Sequence, residues 1–227
     1  MMAEMEMVLI DKAGKERKRY IKSFSKDKGK DSLKLLFFLS PAEVKDTGFL
    51  TYEYNTPGKD DDQWLYLPAL KKTKRIAASD KSGSFMGSDL SYSDMGTITL
   101  EDYDFSFYEK QKETDVNGSK CWVIWAIPRS GKAIEETGYE KSLLFVREDN
   151  YYLVRGKFWL KKGGEIKFLD VKNLQQIEGI WTATELEMKK TQNNETIHKT
   201  ILKLRNIKYN QNLNPDMFLP DKLEKGI

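Results

Sequence analysis

Side chains able to do covalent or metal chemistry are sparse in this sequence and scattered along it. His198 is the only histidine and Cys121 the only cysteine, so neither a Cys-rich zinc site nor an intramolecular disulfide can be built. His198, set between Ile197 and Lys199, has no second histidine or cysteine pair with which to share a metal. A nucleophile–base triad through it would need an activated Ser or Cys, and no Gly-x-Ser-x-Gly occurs. Gly131-Lys132 is followed by Ala133 and lacks the upstream glycine of a phosphate loop. Asp60-Asp61-Asp62 lacks the alternating spacing of a Ca²⁺ loop and reads as a solvated turn beside Pro57-Gly58. Glu101, Asp102 and Asp104 are neighbours, but strand alternation sends Glu101 and Asp102 to opposite faces, which weakens an acid–base pair. The sequence therefore points away from an enzyme and calls for no cofactor.

The segment Phe85 to Asp94, Phe-Met-Gly-Ser-Asp-Leu-Ser-Tyr-Ser-Asp, carries a different chemistry. It sets Phe85, Met86, Leu90 and Tyr92 among Gly and Ser with no strand period, and large apolar groups in such a loop need an apolar cover. Two readings stand: a lid over an apolar site, or a surface loop folded back on its own core. Residues 77 to 99 form the longest stretch without a strand pattern; loops of that length in compact domains are usually functional or disordered, and the aromatic and Met content argues against disorder. A short helix begun by a serine cap is expected near Ser91 to Met95.

The elements that would position such a lid are strands. Period-2 or short apolar β-rich runs fall near residues 3 to 10, 16 to 25, 33 to 39, 49 to 55, 62 to 67, 103 to 112, 120 to 128, 141 to 148, 151 to 161, 165 to 171, 180 to 190 and 196 to 207. Asn117-Gly118 is the strongest hairpin signal, because a type I′ turn needs positive φ at both positions. Gly163-Gly164, Asn193-Asn194 and Asp149-Asn150 mark further turns, so residues 103 to 207 read as consecutive antiparallel hairpins. Cys121 to Ile127 is apolar on both faces and must be covered on both; Cys121 itself reads as a small core residue. A large curved sheet with something packed in its concavity meets that demand.

Composition bounds the rest. The 227 residues suit one domain of all-β size, with no linker or repeat to divide them. With 38 basic against 35 acidic residues the net charge is +3, too small to imply a nucleic-acid or anionic-membrane partner without a local cluster, and the dense stretches Lys15 to Lys22 and Lys71 to Arg75 read as solvated. No apolar run approaches the 18 residues of a transmembrane span. The first strand starts almost at residue 3 with no basic and apolar leader ahead of it, which suggests that a signal peptide, and with it an initial helix, has been removed.

Several blocks together resemble one family. They are Leu39-Ser40-Pro41-Ala42 with Gly48-Phe49-Leu50, Trp64-Leu65-Tyr66-Leu67-Pro68 with Lys72 and Ile76, Phe85-Met86-Gly87-Ser88-Asp89, and Pro215-Asp216-Met217-Phe218. In that order they look like the outer-membrane lipoprotein-sorting protein family, the LolA-like group, over about Met5 to Phe218. The resemblance implies a mainly β domain over 1–227, an unclosed antiparallel half-barrel of about eleven strands with short helices and loops as a lid. It implies a periplasmic location and a carrier of lipid or acylated lipoprotein cargo, loaded or unloaded by a membrane-protein donor or acceptor. The resemblance is to the broader family, often associated with envelope exporters, rather than to the lipoprotein chaperone itself, so cargo and docking residues do not carry over.

Taking the more apolar parity of each strand places Met5, Met7, Leu9, Leu35, Phe37, Leu39, Leu50, Tyr52, Phe105, Phe107, Val123, Trp125, Val154 and Phe158 on the concave, lipid-binding face, with Phe85, Met86, Leu90 and Tyr92 as the lid. A one-residue slip inverts any such assignment. Three functions remain open: a lipid or lipoprotein carrier, an envelope sensor or regulatory module binding a partner protein, and an enzyme built on His198 or an acidic pair.

Overall fold

The computed structural model describes residues 1–56 and 58–226, so Pro57 of the expected turn and Ile227 lie outside the described residues. One antiparallel sheet of fourteen strands, not closed into a barrel, dominates it. The strands are β1 (Met2–Asp11), β2 (Glu16–Lys28), β3 (Asp31–Ser40), β4 (Gly48–Glu53), β5 (Asp62–Leu67), β6 (Lys72–Arg75), β7 (Tyr103–Phe107), β8 (Glu113–Val116), β9 (Ser119–Pro128), β10 (Tyr139–Arg147), β11 (Leu153–Leu160), β12 (Glu165–Ile177), β13 (Ile180–Gln192) and β14 (Glu195–Lys208). Their spatial order is β6-β5-β4-β3-β2-β1-β14-β13-β12-β11-β10-β9-β7, with β8 also paired to β9. The first and last strands thus meet in mid-sheet, where β1 pairs with β14.

The hairpin signals work as their backbone demands. Asn117 and Gly118 sit at φ 54° and 79°, and Asn193 and Asn194 at 49° and 65°, so each pair supplies the two positive φ values of a tight turn. The expected run 103 to 112 is a strand only over β7, which ends at Phe107; β8, beyond that run, pairs with the same partner, β9. The series of hairpins is also broken by a helix, α1 (Gly131–Thr137). Its signature was readable, since Ser130 caps it by accepting from the Ala133 N–H and Gly138 ends it at φ 77°.

Cross-strand pairing sorts the side chains onto two faces, and both are covered in part. On the inner face Met7, Leu9, Ile21, Leu36, Phe38, Phe49, Leu65, Leu144, Phe158, Met188 and Leu202 form the main core together with Phe85 and Leu90 from the loop. On the outer face of β2 to β5, Phe24, Leu33, Leu35, Phe37 and Leu50 are buried under the carboxy-terminal tail, whose Phe218 and Leu223 are fully enclosed. Tyr52 clamps that tail by donating to the Phe218 carbonyl at 2.5 Å, and Lys26 donates to the Leu213 carbonyl at 2.8 Å.

This outer core corrects four wall assignments: Leu35, Phe37, Leu50 and Tyr52 face the tail, not the concavity. The strand β3 is apolar in both parities because both its faces are dry, so choosing the greasier parity picked the wrong side. Val154 belongs to a third cluster with Cys121, Val116 and Val171. Val123 and Trp125 share the outer face of Cys121 along β9, by alternation. Leu39 is 42% exposed.

Candidate functional site

Residues 77 to 102, between β6 and β7, cross the inner face as a strap of short 3₁₀ turns. Its centre is a small loop closed by the Ser84–Ser91 bridge and by the Phe85 N–H donating to the Leu90 carbonyl at 2.7 Å. Met86 and Gly87 both take positive φ, 51° and 74°, which turns the chain back and drives Phe85 inward. Phe85 packs on Phe49 at 4.9 Å between ring centroids, on Tyr92 at 5.6 Å and on Phe38 at 6.1 Å. Of the two readings of this loop, the second therefore holds for Phe85: its side chain is a plug in the core over β1 to β5.

Polar side chains aimed inward from the sheet fasten the strap. Arg19 on β2, buried on the inner face, donates to the Met86 carbonyl, and burial lowers its pKa. Gln63 on β5 donates to the Tyr92 carbonyl at 2.8 Å. Asp89 accepts from Thr200 Oγ1 at 2.8 Å and from His198 Nδ1 at 2.6 Å, while its own N–H donates to Thr200 Oγ1 at 2.9 Å. Asp94 and Ser91 bond reciprocally within the strap, Asp94 Oδ2 accepting from the Ser91 N–H at 2.7 Å while Ser91 Oγ accepts from the Asp94 N–H at 3.1 Å. The short serine-capped helix expected near Ser91 to Met95 is a single 3₁₀ turn, Ser93–Met95, whose N-cap residue is Tyr92 with no side-chain cap. Tyr139 donates to Asp94 at 2.7 Å and Lys167 at 3.2 Å. Full burial, reinforced by the Asp94 carboxylate, pushes the Tyr139 hydroxyl well above its ordinary pKa. Lys81 in the strap pairs with Glu136 on α1.

The strap does not fill the whole concavity. Beside it, over β9 to β13, a cavity of about 330 Å³ remains. Leu144, Leu153, Phe158, Leu169, Leu186 and Met188 give it an apolar sheet wall, and Leu90, Asp94 and Thr97 to Thr99 close it from above. Its rim is charged, with Asp60, Asp61, Lys81, Lys132 and Glu136 around the mouth. Burial raises the pKa of Asp61, against the Tyr54 N–H that it accepts at 3.0 Å. The three neighbouring aspartates diverge: Asp60 meets Lys132 at 2.7 Å, Asp61 faces the mouth, and Asp62 pairs with Arg75. Among the described residues no group of three His, Cys, Asp or Glu side chains is placed to hold a metal ion. No helix among them is long and apolar enough to cross a membrane.

The structure thus brings Met5, Met7, Leu9 and Phe158 together with Phe85, Met86, Leu90 and Tyr92 in one cluster. Of the fourteen sequence-derived wall residues, Phe105 and Phe158 line the cavity. Phe107 pairs with Ile124 on the edge strand, where it is 48% exposed. Sequence reasoning missed the deeper wall of Leu144, Leu169, Leu186 and Met188. It also missed the anchors, because their partners lie as far apart as the 111 residues from Asp89 to Thr200.

A family model described as that of an uncharacterized protein matches residues 30–225. A crystal structure of a DUF1329 family protein from Desulfovibrio piger is 32% identical, superposes with a TM-score of 0.87, and matches over 98% of this chain and 90% of its own. The chain belongs to the DUF1329 family. A crystal structure described as that of a putative outer membrane lipoprotein-sorting protein domain, from Vibrio parahaemolyticus, is 30% identical at a TM-score of 0.83, over 98% of this chain and 90% of its own. A LolA superfamily protein from Nitrosomonas europaea shares the fold at a TM-score of 0.70 and 16% identity, over 97% and 90%. No curated protein matches this member by sequence. This DUF1329 chain therefore has the LolA-like fold that its Ser-Pro-Ala and Phe-Met-Gly-Ser-Asp blocks resembled, a fold of lipoprotein-sorting, carrier type.

Proposed function

We propose that this DUF1329 protein is a periplasmic carrier that shelters acyl chains of a lipid or acylated lipoprotein between a membrane donor and a membrane acceptor. One observation carries the reading: beside a strap held by side chains rather than by sheet pairing, the concavity keeps an apolar-walled space of about 330 Å³ with a charged mouth. That volume lies in the small-molecule range. Burial of an acyl chain gains about 0.8 kcal/mol per methylene, so a single chain supplies affinity without a shaped pocket. A headgroup would stay at the charged mouth, since burying it unpaired is costly. Release needs the strap to shift while the sheet stays folded, and side-chain anchors permit that more readily than a paired strand does. The relative described as an outer membrane lipoprotein-sorting domain supports this direction.

Mass spectrometry of organic extracts of the purified protein should find bound lipid, and a fluorescent fatty acid should titrate to saturation. Leu186→Gln together with Leu169→Gln should weaken that titration at least tenfold with the circular dichroism spectrum unchanged. A lipid-free extract together with unaltered fatty-acid binding in the double variant would refute the carrier. Co-purification of a stoichiometric protein partner in place of lipid would assign the fold to a regulatory binding module.

A further inference from the structure

The outer face of β9 to β13 lies opposite the cavity, and the carboxy-terminal tail covers the other half of the sheet, over β3 to β6. Across it runs a continuous line of aromatic rings and lysines. Tyr108 meets Trp125 at 5.6 Å between centroids, and Trp125 meets Trp159 at 5.4 Å. The Lys141 ammonium lies 5.1 Å from the Trp159 centroid, and that of Lys157 lies 4.5 Å from the same ring and 5.6 Å from Phe168. Lys189 continues the line, 5.1 Å from the Phe168 centroid.

Carboxylates on this face are already engaged elsewhere: Asp170 by Arg155 and Lys172, Glu187 by Lys172 and Lys199. Among the described residues none pairs with Lys141, Lys157 or Lys189. The result is three unneutralised cations held against large, partly exposed rings on a rigid sheet.

We propose that this stripe is a docking surface for an anionic lipid bilayer. Charge and ring chemistry agree on that occupant. Trp and Tyr favour the headgroup level of a bilayer, where an apolar ring and a polar edge are both accommodated, and lysines beside them meet anionic lipid phosphates. The surface is separate from the cavity, so it stands whether or not the cavity carries acyl chains.

Co-sedimentation with vesicles tests it, using pure phosphatidylcholine against phosphatidylcholine with 30% phosphatidylglycerol. Wild-type protein should bind the anionic vesicles, release from them at 0.5 M NaCl, and ignore the neutral ones. At about fivefold in partitioning per lysine near an anionic surface, the triple variant Lys141→Gln, Lys157→Gln, Lys189→Gln should bind about 100-fold more weakly. The corresponding triple Arg variant should bind as wild type does. Fluorescent fatty-acid affinity of the Gln variant should be unchanged, since none of the three lysines lines the cavity. Equal binding to both vesicle types, or undiminished binding by the Gln variant, would overturn the proposal. Binding to a polyglutamate peptide without binding to vesicles would also overturn it, in favour of an acidic protein partner.

Discussion

Replacing Asp94 tests how the strap is fastened. Its carboxylate and the Lys167 ammonium are both largely buried, 3.2 Å apart, and Tyr139 and the Ser91 N–H donate to the same carboxylate. Asp94→Asn keeps the shape and removes the charge. The amide oxygen can still accept from both Ser91 and Tyr139, but it carries no charge, and Lys167 is left as an uncompensated buried cation. Breaking a buried pair from one side costs about 3 to 5 kcal/mol, and with both side chains this enclosed no discount for solvent screening applies. For a chain of this length that is a fall of about 6 to 20 °C in Tm. The double variant Asp94→Asn, Lys167→Met buries no charge, so it should recover most of the loss, with a coupling energy of at least about 2 kcal/mol. Urea denaturation of the four members of the cycle measures each term. A single-variant cost below about 1 kcal/mol, or a double variant less stable than Asp94→Asn, would refute the claim that this ion pair holds the strap down.

Phe85→Ala should cost about 3 to 5 kcal/mol in the same urea assay because it empties a site between Phe38, Phe49 and Tyr92, whereas Phe107→Ala on the exposed edge should cost under about 1 kcal/mol. Deleting residues 210 to 226 should uncover Phe24, Leu35, Phe37 and Leu50 and raise the fluorescence of a hydrophobic dye; no rise would mean the tail is dispensable to that core. Because the folded Tyr139 hydroxyl has a raised pKa, the unfolded chain loses its proton first above about pH 10, so stability should fall as pH rises there, and Tyr139→Phe should shallow that fall. Asp61 gives the same sign in the acidic range: its raised pKa means the folded state holds the proton longer, so stability drops as pH rises from the ordinary carboxylate range through the folded value. Asp61→Asn should remove that drop and be at least as stable as wild type at pH 7, measured by thermal melts from pH 4 to 7.

What the sequence makes legible here follows from the range of the interaction that encodes it. The fold rests on local signals: period-2 alternation within a strand, and turns such as Asn117-Gly118 whose positive φ selects the residue types. Twelve runs and four turns recover most of the sheet, but two four-residue strands fall outside them: β6, Lys-Thr-Lys-Arg, and β8, Glu-Thr-Asp-Val, are too short and too polar to show a period. The wall of the site is different, because alternation tells inside from outside only when one face is wet. In β1 Glu4 and Glu6 mark one parity as polar, and Met5, Met7 and Leu9 of the other lie in the inner-face cluster. In β3 both parities are dry, one under Phe85 and one under Phe218, and composition carries no sign of which is which. The covering tail has no period, being a Pro-punctuated stretch of 3₁₀ turns, so only its apolar residues Leu213, Met217, Phe218 and Leu223 hinted that a second face needed a lid. The strap shows the same limit from the polar side. Asp89 and Asp94 are held by Thr200, His198, Tyr139 and Lys167, which arrive from strands up to 111 residues away. A buried carboxylate needs such partners to be stable at all. An acid embedded among Phe, Leu and Tyr in a loop is therefore itself a signal that polar side chains must point inward from the sheet beneath it. Read that way, Thr200 and His198, at alternate positions of one strand, were the residues to look for.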